Sequence, residues 1–212
     1  MAELAAPPLQ TPALQGRLVR LEPLGPQHLE GLLGAANADA DEAFPFTWVP
    51  RTREDVGRFI TDALALAAAG RAIPFATCAS DGGRVLGSTR FGNLERWDWP
   101  RPPPDPRPLD AVEIGWTWLG RPAQRTGANT EAKLLMLRHA FGALRVRRVT
   151  LKTDARNARS RAAIARLGAA LDGVLRSHLP ASDGGPRDSA VFSILEAEWP
   201  GVEARLAGLL GQ

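Results

Sequence analysis

The stretch Glu113–Gly168, EIGWTWLGRPAQRTGANTEAKLLMLRHAFGALRVRRVTLKTDARNARSRAAIARLG, decides how the rest of the chain is read. Ala111–Leu119 reads as a strand and Val146–Thr153 as another. Between them, Gly127–Phe141 carries Leu134, Leu137 and Phe141 at helical spacing. Asn157–Leu167 is a second helix, with Ser160, Ala163, Ile164 and Leu167 on one stripe and Gly168 as its stop. The first strand meets its helix through Gln124-Arg125-Thr126-Gly127-Ala128-Asn129-Thr130-Glu131. A glycine at a helix start lets the backbone approach a ligand closely. Free amides and the helix dipole favour a phosphate there. One glycine at a strand-to-helix turn is also ordinary structure, so the turn alone does not choose between packing and binding.

Working outward, Arg17–Leu24 alternates apolar and polar residues as a strand does, and Pro26 opens a helix to about Ala36. Phe44–Pro50 is an aromatic loop punctuated by proline. Thr52 is placed to cap a helix that has Asp55 in its first turn and runs to Gly70. Ile73–Ala79 and Val85–Leu94 pair as a hairpin through Asp81-Gly82-Gly83. Trp97–Pro108 holds six prolines and two tryptophans and reads as a long surface loop, because proline removes backbone donors. Leu171–Leu179 and Asp188–Glu196 are strands, and Glu198–Leu209 is a last helix. With no repeat and no linker, the order predicts one α+β domain. The expected boundaries are a flexible segment at 1–13, the domain at 14–200 and a helical tail at 201–212.

Of 212 residues, 44% are hydrophobic and 23% charged, which excludes a mainly disordered chain and leaves material for a core. No apolar run nears the ~20 residues that span a bilayer. Met1–Thr11 lacks the basic start and apolar stretch of a secretory signal, so no membrane partner and a cytoplasmic location are expected. One cysteine, Cys78, excludes an internal disulfide or a cysteine zinc cluster. His28, His139 and His178 have no metal-ligand spacing, so no metal is expected. The histidines at 28 and 139 read as helix surface or core edge. The net charge is only +3, yet Arg138–Arg166 carries nine basic residues and one acid. Such a concentration suits a phosphorylated cofactor or a nucleic-acid backbone, or is a solvated arginine face. No nucleic-acid motif accompanies it, and nucleic acid is not an expected partner.

Several motifs occur in a set order: Glu113-Ile114-Gly115-Trp116, then Gln124 to Gly127-x-Asn129-Thr130-Glu131-Ala132. His139-Ala140-Phe141, Asn157-x-x-Ser160-Arg161 with Ile164, and Leu167-Gly168-Ala169 follow, and Gly173-Val174-Leu175-Arg176, Arg187-Asp188 and Glu198-Trp199 close the series. Over roughly Leu14–Pro200 the chain resembles the Gcn5-related N-acetyltransferases, in the branch similar to the acetyltransferases of ribosomal-protein N-termini (RimJ/RimL-like). The resemblance implies a mixed central sheet of about seven strands, splayed between the fourth and fifth, with helices around it. It implies acetyl-CoA as cofactor, with its pantetheine arm along Trp116, Thr117, Trp118 and Leu119. The pyrophosphate would lie on Gln124, Arg125, Thr126, Gly127, Ala128, Asn129 and Thr130, and the thiol end near Asn157, Ser160 and Arg161. Asn129 departs from the small residue usual in the family, and asparagine tolerates an unusual backbone angle.

Acetyl transfer needs a neutral amine, a stabilised oxyanion and a proton for the departing thiolate. An α-amine with a pKa near ~8 must lose a proton first. Glu113 is the expected base. It shares a strand face with Gly115 and Thr117, while Val112, Ile114, Trp116 and Trp118 share the other. Many relatives use a tyrosine as acid, but this chain has none, and Ser160 is the expected substitute. An acyl-enzyme at Cys78 is the weaker route, because the thiol sits in an apolar strand. Phe44–Trp48 and Trp97–Trp99 are expected to line the acceptor pocket. The acceptor would be a peptide N-terminus or a small amine, handled by a monomer or homodimer. The alternative in another class is an acyl-CoA binder that does not transfer.

Overall fold

The structure, a computed structural model, describes residues 12–38 and 44–211. The proposed N-terminal segment therefore lies almost wholly outside the described residues. The strands are β1 (Leu14–Gln15), β2 (Val19–Pro23), β3 (Ile73–Ala79), β4 (Val85–Glu95), β5 (Ala111–Leu119), β6 (Arg148–Asp154), β7 (Ala170–Pro180) and β8 (Pro186–Leu195). The helices are α1 (Leu29–Asn37), α2 (Arg53–Ala68), α3 (Ala128–Arg138), α4 (Ala158–Leu167) and α5 (Trp199–Leu209). The sheet has eight strands in the order β1-β2-β3-β4-β5-β6-β8-β7. The strand expected over Arg17–Leu24 is preceded by the short β1, which pairs back on β2 and makes the eighth.

β3 is buried along its whole length, as befits a central strand covered on both faces. α1 and α2 cover one face through Leu32, Val56, Ile60, Cys78 and Trp118. α3 and α5 cover the other through Leu134, Met136, Leu137, Val202 and Leu206. Thr52 caps α2 by accepting from Asp55 N–H at 3.1 Å, and Gly168 ends α4 in the left-handed conformation, φ +104°. The helix expected to run to Phe141 instead loosens after Arg138. Leu144 N–H reaches the His139 carbonyl, five residues back.

α3 is buried on every side from Thr130 to Leu137, because sheet, β1–β2 turn and α5 enclose it. Its Glu131 carboxylate is fully covered and accepts from the backbone N–H groups of Arg17 (3.0 Å), Leu18 (2.6 Å) and Val19 (2.8 Å). Charge-assisted bonds of this kind fix the first strands onto the helix that carries the candidate site.

Candidate active site

β5 and β6 are parallel neighbours only at Ala111↔Arg148, Val112↔Val149 and Glu113↔Thr150. Beyond that last pair the strands part, and a cleft opens between Ile114–Leu119 and Leu151–Asp154 with strand edges facing into it. β5 also changes face inside the cleft. Ser88 pairs with Trp118 and Arg90 with Gly115, so Trp116 and Thr117 together oppose one residue, Thr89. Trp116 takes φ +49°. This is a β-bulge, and it corrects the expected alternation. Val112 and Ile114 face α3, but so do Thr117 and Leu119 after the bulge, while Trp118 packs with α1 and α2. The Thr117 hydroxyl is held under the bulge by Lys133 Nζ (2.6 Å) and Thr89 Oγ1 (2.7 Å). What Trp116–Leu119 offer the cleft is therefore backbone.

At the cleft mouth the chain turns through Arg121–Ala123 into α3. Gln124 Nε2 donates to the Leu119 carbonyl (2.8 Å), Thr126 Oγ1 to that of Ala123 (2.8 Å), and Ala128 N–H to Thr126 Oγ1 (3.2 Å). The left-handed residue is Arg125, φ +61°, and Asn129 is ordinary helix, so no unusual angle falls on it. Gly127 has a packing reason to be small. A Cβ there would lie 2.6 Å from a Leu18 methyl. Helical bonding begins with Glu131 N–H to the Gly127 carbonyl, and the first-turn amides before it have no carbonyl one turn back.

The basic stretch is not a free positive face. Arg138 pairs with Glu203, Arg145 with Asp105, Arg147 with Asp110, Arg148 with Asp172 and Lys152 with Glu113. Arg156 takes both Asp154 and Asp183. Cations at the mouth include Arg121 and Arg125 on the turn and Arg159, whose Nη1 reaches Gln124 Oε1 at 3.3 Å, whereas Arg161 Nη1 bonds the Ala155 carbonyl on the β6 side. Arg159 carries no sequence signal beyond membership of the basic run. On the β6 side, Asn157 caps α4 by accepting from Ser160 N–H (3.0 Å), which commits its side chain to structure. The Ser160 hydroxyl has no hydrogen bond among the described residues and is half-buried.

Glu113 sits where the strands part, on the face opposite α3. Its Oε2 accepts from Asn93 Nδ2 (2.6 Å) and forms an ion pair with Lys152 Nζ (2.8 Å). Its Oε1 has no bond among the described residues, and a Cβ on Gly115 would come within 3.2 Å of it. Glu113 and Ser160 do not touch. One stands beside the last β5–β6 pair, the other in the first turn of the helix beyond β6.

Cys78 is buried, and burial pushes its thiol up to about 12, which disfavours the thiolate that an acyl-enzyme needs. His28 is buried rather than on a helix surface. It takes Gly25 N–H at Nδ1 (3.1 Å), so Nε2 keeps the proton and points it at Glu22 (3.2 Å). Glu22, His28 and Cys78 cluster, but that tautomer leaves no imidazole lone pair for a metal. His139 is half-buried beside Phe91, and burial lowers its pKa.

Of the aromatic loops, Phe44 packs edge-on against Trp118 and Trp48 is 61% exposed. Thr47, Trp48, Arg51, Asp55 and Ser182 line a surface cavity of about 370 Å³ with them. Trp97 and Trp99 pack against each other with their rings tilted by 47° and are tied to Asp110, at the closed end of the fork. No helix among the described residues is long and apolar enough to cross a membrane.

Residues 18–170 match the family described as an Acetyltransferase (GNAT) domain. The chain is similar to a GCN5-related N-acetyltransferase from Brucella melitensis, at 29% identity and a TM-score of 0.82 over 96% of this chain and 87% of that one. It is 36% identical, with a TM-score of 0.76, to a structure from T. thermophilus assigned as an acetyltransferase, over 93% of this chain and 96% of the other. Mycobacterium smegmatis RimJ, solved in complex with CoA-disulfide, has the same fold at 23% identity and a TM-score of 0.75, over 91% and 89% of the two chains. Among curated proteins there is no match.

Proposed function

The chain belongs to the GNAT acetyltransferase family and is an N-acetyltransferase; from that premise we propose that it moves an acetyl group directly from acetyl-CoA to a primary amine, with a polypeptide α-amine as the acceptor class. The observation that carries this is the fork. A parallel strand pair ends at Glu113↔Thr150 and leaves two open edges leading to the first turn of α3. Open edges suit an amide-bearing arm, and a helix start flanked by Arg121, Arg125 and Arg159 suits a diphosphate. When bound, acetyl-CoA supplies a thioester for the amine to attack.

In this reading Glu113 is the base. Asn93 and Lys152 fix it by Oε2, and Oε1 is left to take the amine proton, directly or through water. The Ser160 hydroxyl donates a hydrogen bond to the departing sulfur on the β6 side, and water protonates the thiolate. The acceptor approaches on the face opposite α3, beside the aromatic loop 44–48. The resemblance to the acetyltransferases of ribosomal-protein N-termini supports the α-amine over a small amine.

Calorimetry with CoA, followed by an acceptor screen read as thiol release, tests the proposal. Glu113→Gln should lower kcat at least 100-fold and keep CoA affinity. Unchanged turnover removes Glu113 as the base. A chain that binds CoA but acetylates neither peptides nor small amines is a sensor, the reading favoured by the absence of a tyrosine acid.

A further inference from the structure

Arg90 stands apart from the interior arginines. It lies on β4 opposite Gly115, half-buried, and the centre of its guanidinium is 3.9 Å from the middle of the Trp116 ring. Gly92 seats that ring, since a Cβ there would fall 2.4 Å from it. No hydrogen bond or ion pair engages Arg90 among the described residues, and its Nε is shut from solvent without an acceptor. Stacking uses the face of a guanidinium and leaves its in-plane N–H donors available. Burial draws the group down to about 10, against the pull of Glu113, so it is still cationic at neutral pH. Glu113 is not within ion-pair distance of it among the described residues, and Lys152 and Asn93 hold the Oε2 of that carboxylate.

We propose that Arg90 is a specificity-determining residue of the acceptor site, and that it binds a carboxylate carried by the amine substrate. The inference rests on the transferase reading and names a substrate class for it. Arg90 and the neighbour of Glu113, Gly92, are two residues apart on one strand face, about 7 Å along the strand. That span suits an amine directed at Glu113 and a carboxylate directed at Arg90, borne on the same carbon or a short side chain. A fork of N–H donors matches a carboxylate in bidentate geometry. The counterpart chemistry is met by a free amino acid or by an acidic first residue of a peptide.

The test compares matched pairs on the full chain. Amino acids are set against their carboxamides, and peptides beginning with Asp or Glu against those beginning with Asn or Gln. Thiol release gives kinetics, and saturation-transfer NMR on the protein–CoA complex gives binding without turnover. The carboxylate member should be favoured at least tenfold. Arg90→Gln should reduce that to under twofold by raising KM for the carboxylate member, while KM for acetyl-CoA and the melting temperature hold. Arg90→Lys should retain part of the preference. A preference within the amino-acid pairs assigns the free acid, and one within the peptide pairs assigns the acidic N-terminus. Equal treatment of every pair by the wild type, or a preference that survives in Arg90→Gln, overturns the proposal. Failure of CoA to bind in calorimetry overturns the transferase reading instead, whatever the pairs show.

Discussion

Two cations flank one bulge from opposite sides. Beneath it, Lys133 is enclosed by α3 and the sheet, and among the described residues its ammonium bonds only the hydroxyls of Thr117 and Thr89. Above it, Arg90 lies across Trp116 and is only half-buried. Among the described residues neither has a carboxylate at bonding distance, unlike the six cations of Arg138–Arg156 that hold acids. Enclosure decides the difference between them. Burial draws Lys133 down to about 7, so near neutrality the buried site gives up its charge, whereas Arg90 keeps its own. A charge that cannot be hydrated is lost to the proton equilibrium; one that can stack and stay wet is available to a ligand.

The largest expected effect is at Lys133. The unfolded chain holds this proton below about pH 10.4, and the folded site holds it only below about 7. Between those values unfolding takes up a proton, so stability falls as pH drops toward 7 and then levels off. Lys133→Met should stabilise the fold by on the order of 3 kcal/mol at pH 6.5, with the gain shrinking toward zero by pH 10. Urea unfolding of both proteins at three pH values measures it. A gain that does not vary with pH would mean that Lys133 stays charged, and the contrast with Arg90 would fail.

Gly92→Ala is the next test. The added methyl must push aside the far end of an exposed ring, so the cost in stability should be about 1 kcal/mol or less. Arg90 should nevertheless lose its platform, and the carboxylate preference should drop with it. Arg145→Gln should do least. Its ion pair with Asp105 is open to water on both sides, and no change in melting temperature is expected. A clear loss there would show that acid partners matter more than enclosure.

Much of the frame is legible in the sequence. β3 and β5 run over Ile73–Ala79 and Ala111–Leu119, the spans their turn-bounded apolar runs predict. The Thr52 cap and the Gly168 stop also fall where local chemistry puts them. The site is less legible. Period-two alternation places Trp116 and Trp118 with Ile114, and one bulge reverses the face of everything after Gly115. The +8 run suggests a phosphate funnel, yet its members mostly answer acids from distant strands and loops.

The sequence by itself determined most of the order of elements and the turn at Gln124–Glu131, because caps, turns and apolar periodicity act over a few residues. Only the tertiary structure decided which charges matter. Glu131 and Lys133 are two residues apart on one helix, and nothing in their spacing says that the first would anchor three strand amides and the second lie dry beneath a bulge. Solvation depends on what other segments place against a side chain, and those segments come from elsewhere in the chain.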